Sequence, residues 1–293
     1  MGGAGIVTGL DALVVAAYGR RGTVEFPDGS RRGFLVRGRQ LQPVCGDRVV
    51  LAQQTAAETL LLVQIRPRTS ALARETNRGR PEILAANLAQ IWVVCAAAPK
   101  PDFFVVDRYL CAAELLGCRS ALLWNKTDLA SDFSTELDDY RRIGYSVLPV
   151  SATLGDGLNE LRKLFDAGMA IMVGQSGVGK SSLINALCGP GSATTADLSD
   201  STGEGQHNTT ASILHRVGLN GRLIDAPGVR DFVPVIPGDA KPADGFPEIR
   251  AAAADCRFAD CRHLREPDCA VKRAVAHGAI SARRYESYRR LGR

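Results

Sequence analysis

The spacing of apolar residues changes character near residue 90. Up to residue 72 the apolar runs are short and bounded by turn residues. Runs at 22–26 and 33–36 flank Pro27-Asp28-Gly29, a turn signal. Gly46-Asp47 introduces a run at 48–51, and 59–65 forms another that stops at Pro67. Several short strands at this spacing predict a small β-barrel of the oligonucleotide-binding (OB) type over 1–72. Residues 73–90 are polar and read as a linker.

Beyond residue 90, strands and helices alternate. Strands are expected at 91–95, 121–124, 147–150 and 170–173, with helices at 102–116, 132–142, 157–165 and 182–187. That alternation implies a mostly parallel sheet covered on both faces. Residues 189–210, rich in Gly, Ser, Thr and Asp, are expected to be mobile. Runs at 212–217 and 222–225 meet at Asn220-Gly221, which predicts a hairpin. Residues 272–293 read as a basic helix. The organisation expected is therefore a barrel (1–72), an α/β domain (81–234) and a C-terminal unit (235–293).

Charge sharpens this picture. The 293 residues carry a net +5, but residues 1–80 and 270–293 are each +6 and the stretch between is −7. Two basic ends suit a polyanion such as RNA, and solvated surface charge is the plainer alternative. Arg20, Arg21, Arg31, Arg32, Arg37, Arg39 and Arg48 are interleaved with the first strands, which fits an oligonucleotide-binding face. In the tail, Arg283, Arg284, Arg289 and Arg290 with Tyr285 and Tyr288 suit phosphates and base stacking. No apolar run approaches a membrane span and no signal pattern opens the chain, so a cytoplasmic location is expected. Of eight cysteines, Cys45, Cys95, Cys111, Cys118 and Cys188 sit among apolar neighbours and read as inert buried thiols.

The chemistry centres on Gly174-Gln175-Ser176-Gly177-Val178-Gly179-Lys180-Ser181, a complete phosphate-binding loop between a strand and a helix. Its backbone N–H groups and the helix start receive phosphate oxygens. Lys180 would reach the β- and γ-phosphates, the Ser181 hydroxyl would ligate Mg²⁺, and Ser182 continues the site. Asn125-Lys126-Thr127-Asp128 closes the strand at 121–124. Asp128 can accept from N1–H and the 2-amino group of guanine, whereas adenine would leave the carboxylate unpaired. Asn125 would brace the pocket and the Lys126 stem would cover the base. Ser151-Ala152, one strand later, lets a backbone N–H approach the guanine O6. GTP and GDP are the ligands this set selects.

Asp225-Ala226-Pro227-Gly228 places a Mg²⁺ carboxylate and a γ-phosphate-sensing N–H after a strand. Thr209 or Thr210 could ligate Mg²⁺ when triphosphate is bound, so two switch loops are expected. Val229 cannot orient a water, and His207 is the candidate that can; a solvent-exposed loop histidine is the alternative. The base motif precedes the phosphate loop, the reverse of an ordinary small GTPase, so a circularly permuted domain is implied, with the second switch leading into the C-terminal unit. There, Cys256, Cys261, His263 and Cys269 form a Cys₃His set that can close a tetrahedron around one structural Zn²⁺.

The combined pattern resembles the ribosome small subunit-dependent GTPase A (RsgA) family, circularly permuted bacterial GTPases. The resemblance covers nearly the whole chain. It rests on the basic β region, 83–87, 125–128, 174–182, 205–207, 225–228, Gly245-Phe246-Pro247-Glu248-Ile249 and the cysteine–histidine cluster. It implies an OB-fold barrel, a permuted G domain and a mainly helical zinc domain. It also implies GTP hydrolysis stimulated by the small ribosomal subunit during late maturation, rRNA as a partner, a monomer, and a catalytic role for His207. Asn208 stands where the family usually has the first of three threonines. The Gly2-Gly3-Ala4-Gly5 start implies that a contact made by a longer N-terminal arm is absent. A competing reading is a GTP-dependent RNA-binding sensor in which hydrolysis is incidental.

Overall fold

The computed structural model describes residues 6–38, 40–54, 60–76, 79–129, 134–165, 168–189, 212–218, 220–226, 234–235 and 240–292. Strands β1 (Ile6–Tyr18), β2 (Arg21–Glu25), β3 (Arg31–Val36), β4 (Arg48–Gln54) and β5 (Leu60–Ile65) form the N-terminal barrel. Their order is β1-β2-β3-β5-β4, and β4 returns to β1 to close it. Val14, Val24, Phe34, Val49, Leu51 and Leu60 fill the interior. The β3–β5 pairing is parallel and the others are antiparallel. The expected barrel is present, but sequence reading missed its longest strand. β1 slips register between Thr8 and Leu10 and between Val14 and Ala16, which breaks the period-two signature.

The segment expected to be a linker is instead a hairpin, β6 (Ala71–Glu75) and β7 (Pro81–Ala86). Short, mixed-polarity strands with one sheltered side carry a weak pattern. This hairpin also fixes the chain that follows the second switch. Pro234 bridges to Arg74, and the Val235 N–H donates to the Ala73 carbonyl at 2.9 Å. Residues 234 and 235, between the D-x-x-G motif and the C-terminal unit, are thus tied to the hairpin.

The α/β region follows the expected alternation: β8 (Gln90–Ala96), α1 (Phe103–Leu115), β9 (Arg119–Asn125), α2 (Ser134–Ile143), β10 (Ser146–Pro149), α3 (Leu158–Leu164), β11 (Gly168–Val173), α4 (Lys180–Cys188), β12 (Ser212–Val217) and β13 (Gly221–Asp225). Spatial order is β10-β9-β8-β11-β13-β12, parallel except for β12. β8 is buried along its whole length because both faces are covered. Ile91, Val93 and Leu122 face one core, and Trp92, Val94 and Leu123 face the other. The β12–β13 hairpin forms, but Gly221 is not in its turn. Gly221 is already paired with Val217. Gly221 is needed for close approach: a Cβ there would lie 2.6 Å from the Val217 carbonyl and 2.8 Å from Phe165.

β12 also pairs with β1, through Ala16↔Ile213 and Ala17↔Ser212, so barrel and α/β strands make one 11-stranded sheet. A second tie is electrostatic. Glu25 at the end of β2 is 3% exposed and meets Arg216 of β12 at 3.0 Å and Arg222 of β13 at 3.3 Å.

The C-terminal unit begins with a 3₁₀ turn (Pro242–Gly245), then α5 (Pro247–Ala253), α6 (Ala270–Ala276) and α7 (Ala282–Leu291). Phe246, Ile249, Val271, Ile280 and Tyr288 cluster with Cys111 of α1. α7 docks on α1 through a buried polar knot. Arg284 Nη1 donates to Asp107 Oδ1 at 2.9 Å, and its Nε and Nη2 hold Glu248 at 2.9 and 3.1 Å. Arg283, Ser287 and Tyr140 complete the shell of Asp107. Burial alone would lower the Arg284 pKa, but Asp107 and Glu248 outweigh it and hold the group above its ordinary range. This corrects the reading of the tail as an RNA face for Arg284, which is fully buried. Arg283 stacks over Phe103 and Tyr140, Arg290 over Phe104, and both tyrosines are turned inward. A ten-residue helix with four arginines and two tyrosines is ambiguous in sequence, because guanidiniums stack on a protein's own rings as readily as on bases.

Candidate functional site

The carboxyl ends of the parallel strands carry both sequence motifs, and the space outside such ends is the usual ligand position in sheets of this kind. β11 delivers the phosphate loop. Its neighbour β8 pairs Val93 with Val173, and β9 lies on β8's other side with Ala96 opposite Asn125. Register alone thus brings the base motif beside the loop. Gly179, the cap of α4, has φ 94° and leads into Lys180. A Cβ at Gly179 would lie 2.3 Å from the Asn125 side-chain amide, so the loop can close only over glycine.

Two motif residues are bonded to the loop. Asn125, 1% exposed, donates from Nδ2 to the Val178 carbonyl at 2.8 Å. Lys126 donates from Nζ to the carbonyls of Gly177 and Ala98, each at 2.7 Å. Lys126 itself has φ 62°. Thr127 Oγ1 donates to the Val150 carbonyl at 3.2 Å, which ties the motif to the end of β10. The fully buried Ser151 donates from Oγ to Asp128 Oδ1 at 2.7 Å and orients that carboxylate. The Ala152 N–H donates to Asn125 Oδ1 at 3.2 Å, so here it braces the motif from behind. On the loop itself, Lys180 Nζ donates to the Gly174 and Gln175 carbonyls at 2.6 and 2.7 Å. Gln175 Oε1 accepts from the N–H of Asp102 at 2.8 Å. Asp102 is in turn the N-cap of α1, accepting from Phe104 N–H. Sequence reading missed that link, since nothing in the pattern pairs residues so far apart.

The register Ile171↔Ile224 sets Asp225 beside Met172, two residues before Gly174. Ser181 lies in the first turn of α4, with Ser182 following it. A hydroxyl and a carboxylate from these two elements are hard oxygen donors of the kind Mg²⁺ takes. His207, Thr209, Thr210 and Gly228 lie outside the described residues, as does most of 189–210.

The second candidate centre is in the C-terminal unit. The ligand atoms of Cys256, Cys261, His263 and Cys269 all lie within 4.8 Å of one another. Cys256 Sγ and Cys269 Sγ are 3.9 Å apart, and each is 3.5 Å from His263 Nδ1. A zinc tetrahedron with Zn–S about 2.3 Å and Zn–N about 2.0 Å has edges of about 3.8 Å (S···S) and about 3.5 Å (S···N), so the donor set fits that ion. The loop is shaped by Glu266, which accepts N–H groups of Arg262, Leu264 and Arg265. The Glu266 backbone N–H first, and then these three bonds against the effect of burial, hold the Glu266 pKa down at about 2. The Tyr285 and Tyr288 hydroxyls donate to the carbonyls of His263 and Arg262 at 2.5 and 2.6 Å. The remaining thiols behave as expected: Cys45, Cys95, Cys111 and Cys118 are buried, and Cys188 is partly so. Burial raises the Cys111 pKa to about 12.

A family model described as RsgA GTPase matches residues 65–233. A protein from Pseudomonas putida named small ribosomal subunit biogenesis GTPase RsgA is 40% identical, over 95% of this chain and 84% of its own. One of the same name from Azotobacter vinelandii is 40% identical over 96% of this chain and 84% of its own. Among solved structures, YjeQ from Thermotoga maritima aligns with a TM-score of 0.72 at 27% identity, covering 97% of both chains. YloQ, described as a circularly permuted GTPase, aligns with a TM-score of 0.71 at 25% identity, over 97% of this chain and 94% of its own.

Proposed function

The chain belongs to the RsgA GTPase family, and from that premise we propose that it hydrolyses GTP on the small ribosomal subunit during that subunit's late maturation. The observation that carries the nucleotide half of this reading is the brace between Asn125 and the Val178 carbonyl. It makes base recognition and the phosphate cradle one rigid unit, in a chain whose motifs occur in permuted order.

In this reading Asp128, set by Ser151, accepts from the guanine edge, and Asn125, Lys126, Thr127 and Ala152 fix the pocket. The loop N–H groups and Lys180 take the phosphates. Mg²⁺, when bound, neutralises charge on the β- and γ-phosphates; Ser181, Asp225 and Thr209 or Thr210 would hold it. Gly228 offers an N–H to the γ-phosphate. His207 orients the attacking water and holds it in line, and water then takes the phosphoryl group to leave GDP and phosphate. Cys256, Cys261, His263 and Cys269 would hold one Zn²⁺ with four protein ligands, a donor set suited to a structural role. We assign 1–72 to an RNA-binding barrel, 81–234 to the GTPase domain and 235–293 to the zinc domain, and take the protein to be a cytoplasmic monomer. Among the described residues no helix is long and apolar enough to cross a membrane.

Nucleotide selectivity tests this. GTP should displace bound labelled GDP at concentrations at least ~100-fold below ATP, because a carboxylate left unpaired by adenine is costly. Displacement by both at similar concentration would contradict it.

A further inference from the structure

At the amino-terminal ends of β11 and β13, away from the phosphate loop, barrel and α/β strands line a groove of about 790 Å³. Arg48 of β4 lines it from the barrel, Arg216 and Arg222 from the β12–β13 hairpin, with Thr69, Asn87 and Gly168 among its other residues. Gly168 opens β11, whose far end enters the phosphate loop, so at ~3.3 Å per residue groove and loop are about 20 Å apart. The groove is not part of the nucleotide crevice.

Its charge is unbalanced. Arg216 and Arg222 sit directly opposite each other on the antiparallel ladder, an arrangement that repels. One carboxylate compensates them: Glu25 Oε1 lies 3.0 and 3.3 Å from the two guanidiniums. Its other oxygen is already taken by Arg31 at 3.0 Å. Three guanidiniums thus share one negative charge, and Arg48 adds a further cation. Among the described residues, none lining the groove is acidic. Glu25 is 3% exposed, while the Arg216 and Arg222 side chains are 57% and 39% exposed. The carboxylate is sealed behind the arginines and their outer edges face solvent.

We propose that this groove is a docking surface for the phosphate backbone of structured RNA, gripped by Arg48, Arg216 and Arg222. The identity of that RNA as small-subunit RNA rests on the function proposed above; the groove itself does not. Guanidinium forks match phosphate oxygens two at a time. Among the described residues, none lining the groove is aromatic, so they offer no platform for unstacked bases and read backbone rather than sequence. The same lack of aromatic anchors disfavours a protein partner, whose interface would be built around such residues. The grip also falls on the hairpin whose two strands adjoin, in sequence, the expected switch segments at 189–210 and 225–228.

The test uses full-length protein, a fluorescein-labelled 20-base-pair RNA duplex and purified small subunits, across a salt series. The Arg48→Ala/Arg216→Ala double variant leaves Glu25 with Arg31 and Arg222. It should bind the duplex about tenfold or more weakly at low salt, with a plot of log affinity against log salt shallower by roughly 1.5–2. GDP affinity and zinc content should not change. Arg48→Glu, outside the Glu25 cluster, should weaken binding in the same direction and carries the test if the double variant does not fold. Wild-type affinity and slope in these variants would overturn the proposal. Intact duplex binding with lost binding of polyglutamate would also overturn it, in favour of an acidic protein. Failure of the wild type to bind small subunits would count against the ribosomal reading alone, because the duplex measurement still decides the groove.

Discussion

The Asn125 side-chain amide donates to the Val178 carbonyl at 2.8 Å from a position that is 1% exposed. In the proposed function Asn125 belongs to the motif that reads the base, and Val178 to the loop that receives phosphates. Asn125→Ala leaves the carbonyl without its partner and frees the loop from the motif. The cost of a buried, unsatisfied polar group is about 1–3 kcal/mol, so GDP affinity should fall by about 5- to 150-fold. Asp128→Asn should act differently. It presents a donor where guanine also donates, so GTP should bind poorly and xanthosine triphosphate, with an acceptor at C2, should bind better. Fluorescent-nucleotide titration checks both, and unchanged GTP affinity in either variant would contradict the assignment.

Asp107 is the buried anchor of the C-terminal unit, accepting from Tyr140, Arg283, Arg284 and Ser287. Asp107→Leu leaves Arg284 with Glu248 alone inside the interface. Breaking a buried pair of this kind costs about 3–5 kcal/mol. The urea midpoint should drop accordingly, and α7 should become the first site of proteolytic cleavage. A wild-type midpoint would show that the interface is held by Phe246 and its apolar neighbours alone.

Zinc should be present at one ion per chain, and its removal by a strong chelator should abolish the fold around 256–269 while leaving GDP binding intact. Tyr285→Phe removes the donor to the His263 carbonyl, worth about 1 kcal/mol, so zinc should be retained but lost to chelator faster. A metal-free protein with full helical content by circular dichroism would refute the structural role.

Glu25 provides a pH test. Burial alone would raise its pKa, but hydrogen bonds and charges from Arg216 and Arg31 outweigh it and leave the group below its ordinary value. A depressed folded-state pKa gives stability that is complete above the unfolded value, about 4.3, and is lost as pH falls through the folded value. Wild type should therefore exceed Glu25→Gln in thermal midpoint at pH 7, and the gap should narrow below about pH 4. A gap independent of pH would mean that the arginines are not balanced by this carboxylate.

The α/β region was legible because each level of the sequence agrees. Fully apolar strands, turn residues and complete motifs all specify one parallel sheet, and its register then brings 125–128 to 174–181 without further instruction. The barrel was legible in outline only, since β1 slips register twice. The β6–β7 hairpin was hidden by its polarity. The ties between units were not legible: Glu25 to Arg216 and Arg222, Arg284 to Asp107, and Val235 to Ala73 each join residues far apart in sequence. The charge of Arg283 and Arg284 was visible, but the partners that consume it were not. In the cysteine cluster spacing sufficed, because four soft ligands within 14 residues have few other ways to be satisfied.

The proposed function has this chain turn over GTP in response to the small ribosomal subunit. The direct measurement is phosphate release from GTP at saturating nucleotide, with and without purified small subunits, for wild type and His207→Ala. Slow turnover alone, a rise of at least about tenfold with subunits, and loss of that rise in His207→Ala with GDP affinity unchanged are expected. Equal rates with and without subunits would contradict the account.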